Sequence, residues 1–79
     1  MTASTKKIVK IISSIIGMKD ILPDEQLKDK GVNSLNMLLI LASIEEQFNI
    51  KIPDSEMKMS NFETVREIDE MLKRIEKGQ

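Results

Sequence analysis

The stretch Gly31-Val32-Asn33-Ser34-Leu35, leading into an apolar segment that ends at Phe48, decides how this chain is read. Gly31 is a turn residue, Asn33 stands where a helix N-cap belongs, and Ser34 takes the first helical position. The segment closes with Asn49-Ile50-Lys51-Ile52-Pro53-Asp54, so the pattern predicts a helix from Ser34 to about Phe48. A helix start has unpaired backbone N–H groups and the positive end of the helix dipole. An anionic group esterified to the Ser34 hydroxyl would sit where anions are favoured. The loop-to-helix edge also leaves that hydroxyl open to a modifying enzyme.

Stepped at about 100° per residue, the helix after Ser34 has two apolar faces. Met37, Ile40, Leu41, Ile44 and Phe48 fall on one; Leu35, Leu38, Leu39 and Ala42 fall roughly opposite. Asn36, Ser43 and Gln47 form a polar strip between them. A surface helix needs only one apolar stripe. The second calls for more protein on that side or for a partner, and so short a chain has little protein to spare.

Upstream, a first helix is expected to begin at Ser4 or Thr5, both N-cap residues, and to run to Ile16 before the stop at Gly17. Ile8, Ile11, Ile12 and Ile15 form its buried stripe, widened by Val9 and Ile16. Residues 18–30 are a long connection in which Pro23 disfavours helix at Leu22. Asp24 is a cap candidate for one turn there, and Ile21, Leu22 and Leu27 are its apolar pins. Downstream, residues 49–59 form a connector with a short helix. Ile50 and Ile52 pin it, and Asp54 caps a turn through Ser55-Glu56-Met57. Met57 and Met59 are adaptable side chains that read first as gap-filling core; the alternative puts one of them beside the site at Ser34. The last helix starts at the capping box Thr64-Val65-Arg66-Glu67. Val65, Ile68, Met71 or Leu72, and Ile75 form its buried stripe. Arg66–Glu70, Asp69–Lys73 and Glu70–Arg74 are opposite charges four apart, each worth only about 0.2–0.5 kcal/mol, which marks a solvated face.

Composition narrows the function. A chain of 79 residues predicts one domain, 1–79, with a small core. It has no cysteine and no histidine, which removes disulfides, thiolate or histidine-ligated zinc, and Ser-His-Asp or Cys-His catalysis. No acid–base pair or activated nucleophile can be assembled, so no enzyme is expected. With Phe48 and Phe62 as the only aromatics and a net charge of −1, nucleic acid is not an expected partner. The run after Lys6-Lys7 faintly imitates a signal peptide, but Lys10 interrupts it and no small-residue cleavage site follows. No apolar run is long enough to span a bilayer. A cytoplasmic monomer is expected.

The stretch around Ser34 resembles the phosphopantetheine attachment site of acyl and peptidyl carrier proteins, where Asp-Ser-Leu follows a Gly-X pair. Asn33 stands here in place of the usual aspartate. The run Ile44-Glu45-Glu46-Gln47-Phe48-Asn49-Ile50-Lys51-Ile52-Pro53 is similar to the end of that family's second helix, and the likeness extends from about Ile8 to Ile75. The lead-in Ser60-Asn61-Phe62-Glu63-Thr64-Val65 resembles aminoacyl and some polyketide carriers. The resemblance implies an all-α, four-helix carrier bundle with three main helices and one short one. It implies 4′-phosphopantetheine attached covalently to Ser34 from coenzyme A by a phosphopantetheinyl transferase, whose thiol holds acyl or aminoacyl groups as thioesters. It implies a loading enzyme, and downstream synthase or transferase enzymes of fatty-acid, polyketide or non-ribosomal peptide biosynthesis. The partner-binding candidates are Asn33, Leu35, Leu38, Leu39, Ala42 and Met57. Asn33, Asn36 and Leu39 stand where acidic residues are common in the family, which implies docking that is more apolar and less salt-sensitive. The other reading is an unmodified helical adaptor that binds partners through the second apolar face.

Overall fold

A computed structural model describes residues 2–78. Three helices carry the architecture: α1 (Ala3–Ile16), α2 (Ser34–Phe48) and α3 (Val65–Lys77), with short 3-10 turns at Leu27–Lys30, Asp54–Glu56 and Met59–Phe62. The described residues include no strand. α1 packs against both α2 and α3. Their apolar stripes meet in one core, centred on the fully buried Ile8, Ile12, Ile40, Ile44, Val65, Ile68 and Met71. The four-helix bundle is thus realised as three α-helices, with the short fourth element split into two 3-10 turns. The reason is local. Only Ile52 and Phe62 are buried on that connector, and single turns without a buried stripe commonly take 3-10 form.

α1 starts earlier than its sequence indicates. Thr2, not Ser4 or Thr5, is the N-cap, its hydroxyl accepting from the Thr5 backbone N–H at 3.1 Å. That places Ser4 and Thr5 in the first turn facing α3, where both hydroxyls donate to the Asp69 carboxylate at 2.6 and 3.2 Å. Asp69 is buried and also receives Lys73 at 3.4 Å. It ties two helix faces together rather than belonging to a solvated one. Gly17 ends α1 with φ +72° and donates to the Ser13 carbonyl at 2.9 Å.

The long connection departs from expectation at two residues. Asp24 caps nothing: the turn falls at Pro23–Asp24, and the helical piece begins at Leu27. Its carboxylate instead receives the guanidinium of Arg66, with Nη2 at 3.0 Å. Ile21 and Leu27 are buried as expected, but Leu22 is exposed; its backbone N–H donates to Glu25 Oε1 at 2.8 Å. Two backbone bonds stitch this loop to the start of α3, Leu27 N–H to the Glu63 carbonyl (2.8 Å) and Arg66 N–H to the Pro23 carbonyl (3.0 Å).

The same preference for tertiary partners removes two of the three helical ion pairs expected on α3. Arg66 turns to Asp24, and Arg74 turns to Glu56, at 3.0 Å. A guanidinium fork that can grip a carboxylate with two N–H groups outcompetes a single exposed pair along the helix. Asp54, likewise, is the first residue of its turn and not its cap, which falls at Pro53. Arg74 and Asn61 converge on Glu56 and hold its carboxyl below the usual carboxylate range, with Lys58 adding to the effect. Hydrogen bonding from Arg66 does the same for Asp24. For Glu25 the Leu22 backbone N–H is the main cause and Lys30, at 2.9 Å, the second.

Candidate functional site

Gly31 brings the chain out of the Leu27–Lys30 turn with φ +89°, a conformation open to glycine at little cost. Val32 then donates to the Leu27 carbonyl at 3.1 Å and buries its side chain. With the loop anchored there, Asn33 is fixed as the N-cap of α2. Its Oδ1 accepts from Asn36 N–H at 2.8 Å, and Asn36 Oδ1 accepts in return from Asn33 N–H at 3.2 Å. This reciprocal box is a feature that sequence reading misses. Asn36 reads there as part of a polar strip, although the spacing of two asparagines three apart carries the signal.

Ser34 is exposed at the first position of α2. The cap bonds are made by Asn33 and Asn36, so they do not engage its hydroxyl. The first turn of α2 contains no acidic side chain, so the positive end of the helix dipole there is uncompensated.

Beside Ser34 lies an open groove of about 660 Å³. It is lined by Met37, Leu38 and Leu41 of α2, by the exposed Met57 and Met59, and by the buried Leu27 and Phe62. Lys28, Lys58 and Glu63 stand among the lining residues. Of the candidate site residues, Asn33, Ser34, Leu38 and Met57 come together on this groove. Leu35, Leu39 and Ala42 lie on the adjoining exposed face of α2 and do not line it. The reading of Met57 and Met59 as core filler is overturned: both are exposed. Pro53 and the 3-10 turns carry their segment over the edge of the core, and only Ile52 and Phe62 reach inward. The second apolar face of α2 is likewise uncovered, with Leu35, Leu38 and Leu39 more than half exposed.

The chain matches the phosphopantetheine attachment site family over residues 6–72. It belongs to that family. It is 34% identical to the acyl carrier protein of Acidothermus cellulolyticus over 61 residues, covering 73% of this chain and 70% of that protein. It is 29% identical to aminoacyl carrier protein 1 of Bradyrhizobium diazoefficiens over 70 residues, covering 84% of this chain and 78% of that protein. In structure it superposes with a TM-score of 0.84, at 25% identity, on a chain from the crystal structure of Bradyrhizobium japonicum glycine:[carrier protein] ligase complexed with glycylated carrier protein. That match covers 89% of this chain and 99% of the other.

The fold is therefore the all-helical carrier fold, and the cofactor of the family is covalent 4′-phosphopantetheine. Covalent attachment of such a group takes an exposed hydroxyl, and a helix N-terminus favours its phosphodiester; both are present at Ser34. Among the described residues, no cluster of three metal-ligating side chains occurs. No helix among them is long and apolar enough to cross a membrane.

Proposed function

We propose that this protein is an acyl or aminoacyl carrier, one domain over residues 1–79, in which Ser34 bears the 4′-phosphopantetheine arm. The observation that carries the proposal is the position of Ser34. It is exposed at the uncompensated start of α2, at the head of an apolar groove, and inside the segment matched to the family. When bound, the arm supplies a terminal thiol on which carried groups are held as thioesters, so the chain itself needs no cysteine. The chain's own residues position and present. Asn33 and Asn36 fix the backbone at the attachment point. The free N–H groups of the first turn favour the arm's phosphodiester by about 0.3–1 kcal/mol. Leu35, Leu38, Leu39, Ala42 and Met57 offer the surface on which partner enzymes dock, raising the local concentration of the carried group.

The likeness to aminoacyl carriers and to a chain crystallised in a carrier-protein ligase complex favours an aminoacyl group, loaded by an enzyme of the amino acid:[carrier protein] ligase kind. A phosphopantetheinyl transferase installs the arm, and transferases or synthases downstream receive the cargo. The protein acts in the cytoplasm as a cosubstrate, without catalysis of its own. Intact-mass measurement after incubation with coenzyme A and a broad-specificity phosphopantetheinyl transferase tests the reading. One added phosphopantetheine on the wild type and none on Ser34→Ala is expected. No addition with several transferases, and none on Asn33→Asp, would instead favour the unmodified adaptor, which the exposed face of α2 also suits.

A further inference from the structure

We propose that Met57 and Met59 are a paired oxidation site through which a peroxide lowers the affinity of the docking surface. Among the described residues, Met59 is 83% exposed and Met57 50%, whereas Met71 is fully buried and Met37 is half-buried. Both exposed methionines line the groove that Ser34 and Leu38 also line. Their segment is pinned by the buried Ile52 and Phe62 on either side, and by Glu56, which is gripped by Arg74 and Asn61.

Thioether oxidation follows access. A sulfur lone pair attacks one oxygen of hydrogen peroxide, the O–O bond breaks, and the departing hydroxide takes the proton of the transferred oxygen to leave as water. The product sulfoxide is strongly polar, and methionine sulfoxide reductases return it to the thioether. An apolar lining would thereby acquire two strong acceptors. A transferase docking over them would have to strip water from those oxygens, weakening association by roughly tenfold.

The arm-related part of the test rests on the carrier reading, so two readouts are used. The protein is treated with limiting hydrogen peroxide, and oxidation at each methionine is quantified by peptide mass spectrometry, with circular dichroism confirming that the fold is retained. Met57 and Met59 should oxidise first, Met18 more slowly, and Met37 and Met71 last. The fluorescence of 8-anilinonaphthalene-1-sulfonate, a probe of the groove, should then fall. The rate of phosphopantetheine addition by the transferase should drop about tenfold. In Met57→Leu/Met59→Leu the ratio of treated to untreated values should stay near one, whatever the starting values. Equal oxidation of Met71, or unchanged dye binding and addition rate after Met57 and Met59 are oxidised, would overturn the inference. If untreated protein accepts no arm, the carrier reading fails, and dye binding alone decides this one.

Discussion

The two sides of α2 are built from the same kinds of residue and have opposite fates. Ile40 and Ile44 are fully buried on the side of α2 that packs on α1, while Leu35, Leu38 and Leu39, on the other side of the same fifteen-residue helix, stand in solvent. The buried side stabilises the fold; the exposed side contributes little to it. Exposed leucines scattered singly are ordinary on a protein surface. Here they are gathered next to Ser34 and continue into the groove lined by Met57 and Met59. Apolar area of this kind, beside the proposed attachment point, fits the proposal of a surface that partners cover part of the time.

Substitutions should separate the two sides sharply. Ile44→Ala removes a fully buried side chain and should cost about 2–5 kcal/mol, read as a lower denaturant midpoint at unchanged slope. Leu38→Ala should change stability by no more than about 0.5 kcal/mol yet slow phosphopantetheine addition. Equal stability losses for the two would erase the distinction. Next in size is Asp69→Ala, which removes the carboxylate that the Ser4 and Thr5 hydroxyls donate to, leaves them only Thr2 Oγ1, and should cost about 1–3 kcal/mol. This effect belongs wholly to the structural side, so the addition rate at Ser34 should not follow it.

At the boundary between the two sides, Asn33→Ala removes the cap of α2 and should cost about 1 kcal/mol. Asn33→Asp should keep the fold and accept the arm at least as fast, since aspartate caps equally well and restores a charge favoured at a helix start. A slower Asp variant would count against the assigned role of Asn33.

The smallest effect is the acid response. The Asp24, Glu25 and Glu56 carboxyls all lie below their ordinary values. Their contribution is therefore complete above the ordinary carboxylate range and is lost as pH falls through the depressed values. Because the Arg66 and Arg74 partners of Asp24 and Glu56 are about half exposed and the Glu25–Lys30 pair is partly so, the loss should be modest. Stability curves of Glu56→Gln and wild type should converge at acid pH. Partner affinity should vary little with added salt, because the face proposed for docking is apolar near Ser34.

Local features were the ones legible in the sequence. The bounds of α2, the stop at Gly17, the cap at Thr64 and the isoleucine stripe of α1 follow from residue spacing and cap chemistry within a few positions. The partners joined over long separations were not legible. Asp69 with Ser4 and Thr5, Arg66 with Asp24, and Arg74 with Glu56 all depend on how α3 lies against α1 and the loops. The nearby charge four residues away was a reasonable expectation that a better-aligned distant carboxylate displaced. Met57 and Met59 illustrate the same limit at the site. An apolar residue in a connector can fill a core or line a groove, and only the path of the chain decides. Ser34 itself was visible as a helix-start serine. The attachment role proposed for it rests on the surrounding stretch, because serine is common at such positions.

The central claim is that the arm is attached at Ser34. After reaction with coenzyme A and a phosphopantetheinyl transferase, fragmentation mass spectrometry of the modified protein would locate the added group directly. The prediction is a single addition on Ser34, with Ser4, Ser13, Ser14, Ser43, Ser55 and Ser60 unmodified. Addition at any of those other serines while Ser34 stays free would contradict it.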